Sequence, residues 1–358
     1  MKVKDLLAVV EQVMSGCKSN EAEKKHLLFK DGGIYSWSPA LSVSAKLPED
    51  CASLTGIVNG QDFLSVLSKL NRSEVEISCA DDGWHITCDN IEVLVVTKTD
   101  DSLANQLARL ATDDLTWKPL PKNFYDCLAI CDLPNNQSRV AGVFMYEDSM
   151  VSTDNRRVNH AKMEGTVDEK VLLSPYSVTE IRNLNVRFTE YAVSHRWMHF
   201  RTVVDGSELL VFSCNRLDES IYTYERFIGL IDKALDNLEV EGTFPPLKKT
   251  IALAQCFDSS EEMGRNNLMV NAITLKFDKK KLTVASKRGA SGKFSEKLSY
   301  PDNKELDLEE PIAVKISAPF LTSALVHTSN FGIAKVGSAV LIVLRGSFFN
   351  TIIQVFGV

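Results

Sequence analysis

The chain has 358 residues, 44% of them hydrophobic and 24% charged, a globular balance with enough apolar surface for two or three cores. Its 40 basic and 47 acidic residues leave a net charge of −7, which argues against a protein that coats nucleic acid with a uniformly basic surface. The N-terminal run LLAVV stops at Glu11, and no apolar run approaches the roughly 18–20 residues of a bilayer span. Eight cysteines, scattered apart from Cys127 and Cys131, read as reduced thiols, so a cytoplasmic location is expected.

In chain order, an amphipathic helix is predicted from Lys4 (KDLLAVVEQVMSG), then alternating strand through LSVSAKL, then a second helix from Gln61 (QDFLSVLSKLN). VEISCADDGWHITC reads as a hairpin turning at Asp81-Asp82-Gly83, with IEVLVV as its third strand. A linker is predicted over 99–119, where Asp100, Asp101, Asp113 and Asp114 fall. The order then recurs: a helix from Pro121 (PKNFYDCLAICD), the strand GVFMYEDSMVST, a helix from Ser174 (SPYSVTEIRNL) with Ser as N-cap and Pro in the first turn, and the strand MHFRTVV. A second linker is predicted over 229–246, ending in Gly242 and Pro245-Pro246. The third pass has a helix from Pro245 (PPLKKTIALAQCF), a hairpin in ITLKFDKKKLTVAS turning at Asp278-Lys279-Lys280, a helix from Ser317 (SAPFLTSALVHTS), and the strands AVLIVL and TIIQVFGV.

The first helices of the three passes start 117 and 124 residues apart. That periodicity predicts an α+β protein of three similar modules, 1–115, 116–242 and 243–358, each with two helices packed on antiparallel sheets.

Catalytic signals are scarce. There is no GxSxG elbow, and RGASGKF around Gly289 and Gly292 lacks the length and the closing Ser or Thr of a phosphate-binding loop. His195 and His199 in HRWMHFR have the spacing of a helical zinc pair, but the segment continues as strand; two polar residues on one exposed strand face are expected instead. Cys127 and Cys131 share a helix face with Phe124 and Leu128 and read as packed thiols. No catalytic residue, metal or cofactor is expected.

One stretch resembles a known family. MVSTDNRRVNHAKM, a strand running into Thr153-Asp154-Asn155-Arg156-Arg157-Val158, is similar to the "ATDGHRLA" strand and turn of bacterial β sliding clamps, the β subunit of DNA polymerase III, with Asn155 and Arg156 replacing Gly and His. SPYSVTEIRNL, the segment ending YTYERFI, the loop NNQSRVAGVF and the terminal IIQVFGV resemble family segments in the same order, and together the likenesses cover nearly the whole chain. A divergent, phage-type clamp fits this pattern.

The resemblance implies a head-to-tail homodimer closed into a ring, with helices lining the hole and sheet outside. Such a ring holds duplex DNA by topology and tethers a replicative polymerase placed by a clamp loader. Helical segments 1–18, 60–72, 118–132, 174–187, 244–258 and 317–330 carry eleven basic and seven acidic residues, a net +4, which leaves −11 for the rest. DNA contacts are expected from Lys18, Lys24, Lys25, Lys69, Arg72, Gln137, Arg139, Lys248 and Lys249. The family's partner-peptide groove maps onto Val140, Thr153, Asn155, Arg156, Arg157, Val158, Tyr222, Arg226, Phe227, Met263, Ser317, Phe320, Val355, Phe356, Gly357 and Val358. Its dimer seam maps onto Val93, Val95 and Phe257. Two other readings stay open: an enzyme of unknown class on a repeated α+β scaffold, marked by a pocket of perturbed titratable groups, and a non-ring structural or virion protein.

Overall fold

Alternating apolar residues build four sheets in the computed structural model, which describes the chain except residues 18–25, 71–72, 99–100, 109, 111–113, 134–141, 155, 218–223, 258–271, 289–291 and 358. The largest sheet runs β4 (Gly56–Asn59), β1 (His26–Lys30), β2 (Gly33–Trp37), β3 (Leu41–Lys46), β13 (Ser207–Asn215), β12 (Trp197–Val204), β11 (Glu190–Val193), β8 (Lys118–Pro119). A three-stranded sheet follows the order β5 (Glu76–Ala80), β6 (Gly83–Cys88), β7 (Ile91–Val95). The six-stranded sheet is β14 (Leu238–Thr243), β19 (Asn330–Val336), β20 (Ala339–Arg345), β21 (Phe349–Gln354), β10 (Arg157–Leu173), β9 (Val143–Thr153). The last is β17 (Gly292–Ser299), β16 (Lys281–Arg288), β15 (Ala272–Phe277), β18 (Ile312–Ser317), β22 (Phe356–Gly357).

The helices among the described residues are α1 (Val3–Val13), α2 (Gly60–Lys69), α3 (Asp101–Ala108), α4 (Phe124–Cys131), α5 (Pro175–Asn183), α6 (Tyr224–Asp236), α7 (Lys248–Gln255) and α8 (Ala318–Leu325). Six of them are the predicted pairs. Asn59 starts α2 by accepting the N–H groups of Gln61 and Asp62, and Ser174 starts α5 by accepting that of Ser177 at 3.0 Å. Ser317 precedes α8, but its hydroxyl makes no cap bond.

The two predicted linkers need correction. The first contains α3 and β8, and the second contains most of α6 and all of β14. In α6 the buried residues Tyr224, Phe227, Ile231 and Ala234 follow a helical 3–4–3 spacing that the nearby charges obscure.

The chain packs as two units, 1–122 with 171–217, and 123–170 with 218–358, so the expected middle module is divided between them. In the first unit α1 and α2 pack together, with α1 also lying on β2 and β3. Val3, Leu6, Val10 and Val13 of α1 are buried, each contributing about 1.5–3 kcal/mol. Phe29, Phe63 and Trp84 meet edge to face with centroids 4.7–5.7 Å apart, and Trp84 Nε1 donates to the Thr55 carbonyl at 2.9 Å. The predicted turn before β6 needs Gly83: its φ is +143°, and a Cβ there would lie 2.5 Å from the Val95 carbonyl oxygen.

In the second unit α7 packs across β15, β16 and β17, and α8 packs on β18. Phe244 stacks on Phe331 at 4.2 Å, with Phe277 beside it. The Ser286 hydroxyl, buried under α7, donates to the Ala254 carbonyl at 2.6 Å.

Candidate functional site

Six of the predicted groove residues, Thr153, Arg156, Arg157, Val158, Arg226 and Phe227, line one cleft of about 650 Å³ in the second unit. One wall is α6, supplying Arg226, Phe227, Leu230 and Lys233. Opposite, β20 contributes Ala339 and Leu341, and β21 contributes Ile352 and Gln354, in each case alternate residues on one sheet face. β10 pairs with β21 from Arg157 opposite Ile353, which carries the turn at Asp154 to the mouth of the cleft.

That turn is held from inside. Asp154 Oδ1 accepts the backbone N–H groups of Arg156 at 3.1 Å and Arg157 at 2.9 Å, and its Oδ2 accepts Arg157 Nε at 2.7 Å. Arg157 Nη1 donates to Ser323 Oγ at 2.7 Å, and the guanidinium lies 4.4 Å above the Phe320 ring. Arg157 is therefore an internal strut tying the turn to α8, and not an open charge at the rim. Exposed Arg226 and Lys233, neither in an ion pair with a described residue, give the rim its positive charge.

Other groove positions divide. Ser317 is buried where β18 meets α8, and Phe320 is half-buried under Arg157. Val355 is 5% exposed and belongs to the core of the second unit, while the backbone of Phe356 and Gly357 pairs with Lys315 and Val314 of β18. Val140, Asn155, Tyr222, Met263 and Val358 lie outside the described residues. Sequence reasoning missed Leu230, Lys233, Ala339, Leu341, Ile352 and Gln354, although helical spacing in α6 and alternation in AVLIVL and TIIQ carried the signal.

At the expected seam, β7 is an edge strand, but Val93 and Val95 stand opposite Ile86 and Trp84 and face the core with them. Val95 is only 7% exposed, whereas Ile91, Leu94 and Val96 are 44%, 48% and 66% exposed. The apolar edge is real: Leu94 faces outward, Val96 follows the strand, and Ile91 is exposed at its start on the side of Val93 and Val95. Phe257 is half-buried against Gly292, where edge strand β17 begins.

Of the expected DNA-contacting residues, Lys69 is exposed at the end of α2, and Lys248 and Lys249 are exposed in the first turn of α7. Two cations at a helix N-terminus oppose its dipole by a few tenths of a kcal/mol each, so helix stability does not account for them. Lys18, Lys24, Lys25, Arg72, Gln137 and Arg139 lie outside the described residues.

The groups with strongly shifted protonation are mostly packed inside. His199, expected on an exposed face, is fully buried: Ser194 and Ser213 hydroxyls bond its two ring nitrogens at 3.0 and 2.8 Å, and burial pushes its pKa down to about 4. His195 lies exposed in the turn before β12, so the two share no face. Cys127 and Cys131 are buried in α4, their thiols donating to the carbonyls of Lys162 and Met150, and burial raises the Cys127 pKa to about 12. Tyr300 borders a second cleft of about 920 Å³ with its phenol pKa raised by burial. Gly289 lies outside the described residues, and Gly292 opens β17. Among the described residues, no three of His, Cys, Asp and Glu converge as metal ligands would, and no helix is long and apolar enough to cross a membrane.

No family model matches the sequence, and no curated protein matches it. Solved structures do. The Helicobacter pylori β clamp bound to a DNA ligase peptide has a TM-score of 0.78 at 16% identity, covering 100% of this chain and 99% of that one. The DNA polymerase sliding clamp of Pseudomonas aeruginosa gives 0.78 at 11% identity with the same coverage, and that of Bacillus subtilis gives 0.77 at 14%, covering 100% and 98%. Over its whole length the chain has the α+β fold of the bacterial DNA polymerase III β sliding clamp.

Proposed function

We propose that the protein is a DNA sliding clamp: a homodimeric ring of six modules, bounded in each chain as the sequence repeat suggests, that encircles duplex DNA without reading its sequence and tethers a replicative polymerase. The observation that carries this reading is the likeness in fold to sliding clamps over the entire chain, joined to a cleft lined by six residues named from sequence. The cleft supports docking of short linear peptides from a polymerase and a clamp loader, with Phe227, Leu230, Leu341 and Ile352 as an apolar floor and Arg226 and Lys233 at the rim. Lys69, Lys248 and Lys249 contact phosphates loosely, so that the ring slides. The protein works in the cytoplasm and catalyses no reaction.

An unpaired apolar edge gives the ring a physical reason to close: Ile91, Leu94 and Val96 of one chain cover β17 of the next. The test combines molecular mass in solution with retention on circular and linear duplex. The wild type should be a dimer held on circles and lost from linear DNA, and Leu94→Asp should be a folded monomer retained on neither. A monomeric wild type, or equal retention on circles and linear DNA, would overturn the proposal.

A further inference from the structure

The five-stranded sheet of the second unit has two unlike faces. Leu275, Phe277, Leu282 and Val284 point toward the helix side, and Phe294 and Leu298 pack on the same core. Among the described residues of the four long strands, alternation sends the others outward, and these are only Lys, Ser, Thr and Ala. Lys276, Lys281, Lys293 and Lys297 are exposed there, and none is in an ion pair with a described residue. The single acid within the four long strands, Glu296, pairs opposite Val284 and so belongs to the helix side. In a protein of net charge −7, residues 243–358 hold 15 basic and 10 acidic side chains, a net +5.

The register spaces the charges. Lys276 stands opposite Thr283, which stands opposite Lys297, so these two lysines lie two strand spacings, about 10 Å, apart. Lys293 and Lys297 sit four residues apart on β17, about 13 Å. Hydroxyls of Thr283 and Ser295 fill the positions between.

We infer that this outward sheet face binds the phosphate backbone of duplex nucleic acid without regard to sequence. Protein partners seat aromatic or large aliphatic anchors, and interfaces are depleted in Lys; among the described residues the four long strands present no such anchor on this face. Single strands are held by stacking on aromatic side chains, and the four long strands present none on this face among the described residues. Lysine ammonium groups interleaved with hydroxyls are what phosphate contact requires. The site lies opposite the helix face assigned above to the threaded duplex. It therefore goes beyond the clamp reading and describes a second stretch of duplex met from outside.

A short duplex blocked at both ends by bulky protein caps cannot thread a ring, so its binding reports the outer surface alone. Anisotropy titrations of this probe across a salt series would compare the wild type with the variant carrying Lys276→Gln, Lys281→Gln, Lys293→Gln and Lys297→Gln. Loss of four phosphate contacts should weaken binding by at least about tenfold at low salt and lower the salt slope by about 3–4. Retention on circular DNA, which rests on topology, should persist in this variant, and Lys248→Gln with Lys249→Gln should spare the capped probe. Single Lys276→Gln and Lys297→Gln variants, each lowering the slope by about 1, serve if the fourfold variant melts early. Wild-type affinity and slope in these variants, or no binding of the probe by the wild type, would overturn the inference. So would displacement of the probe by polyglutamate at a lower charge concentration than by duplex, which would assign the face to an acidic protein.

Discussion

Asp154 holds both the turn at the cleft and the charge of Arg157, so replacing it tests whether the strut is structural. Both side chains of the pair are 9% exposed. In Asp154→Ala the guanidinium keeps only the Ser323 hydroxyl and the Phe320 ring, and two turn N–H groups lose their acceptor. Orphaning one partner of a buried pair costs about 3–5 kcal/mol. The lost turn bonds are worth about 1 kcal/mol each but overlap with that cost, so about 3–5 kcal/mol is expected in all. Adding Arg157→Met removes the orphaned charge, and the double variant should be more stable than Asp154→Ala alone. All four tryptophans, Trp37, Trp84, Trp117 and Trp197, belong to the first unit, so the readout must be circular dichroism in urea with amide exchange across 153–158. A cost below about 1 kcal/mol for Asp154→Ala, or a double variant less stable than the single, would refute the strut.

Tryptophan fluorescence instead isolates the first unit, where His199 makes stability depend on pH. The unfolded imidazole protonates near its usual 6.5 and the folded one only near 4, so stability should fall as pH drops through that window, by up to about 3 kcal/mol. His199→Gln should shrink the fall in urea midpoint between neutral pH and pH near 4; an equal fall in both proteins would remove His199 as the cause. At the C-terminus, deleting residues 356–358 should cost less than deleting 355–358, which also empties the buried place of Val355 and adds about 1.5–3 kcal/mol. Equal urea midpoints for the two deletions would place Val355 outside the core.

Much of this fold was legible because local chemistry and tertiary role agree. The cap at Ser174, the Gly83 turn and the helical spacing of Leu6, Val10 and Val13 each have one cheap local solution, and the structure adopts it. The α6 helix escaped notice because Arg226, Asp232, Lys233 and Asp236 give its segment the charge of a linker, although the face that packs is regular. His199 misled for the opposite reason: a polar residue in an alternating strand reads as outward unless its partners, Ser194 and Ser213, are known to meet it. At the cleft, Thr153, Arg157 and Phe227, which the resemblance named together, line one cavity. The resemblance could not reveal that Asp154 already satisfies Arg157, because sequence spacing does not report which charges are paired.

The eight-stranded sheet sets an order of assembly. Ala45 of β3 pairs with Leu210 of β13, 165 positions later, and the excursion between them builds part of the other unit. During synthesis at roughly 5–20 residues per second, β3 waits for many seconds as an open edge, the backbone groups of Leu41, Val43 and Ala45 on that side paired only once β13 arrives. Contacts this far apart along the chain close slowly, and an unpaired apolar strand is a template for wrong partners in the interval. The nascent chain is thus most exposed to aggregation and chaperone capture before residue 217 has emerged, a vulnerability invisible in the finished molecule.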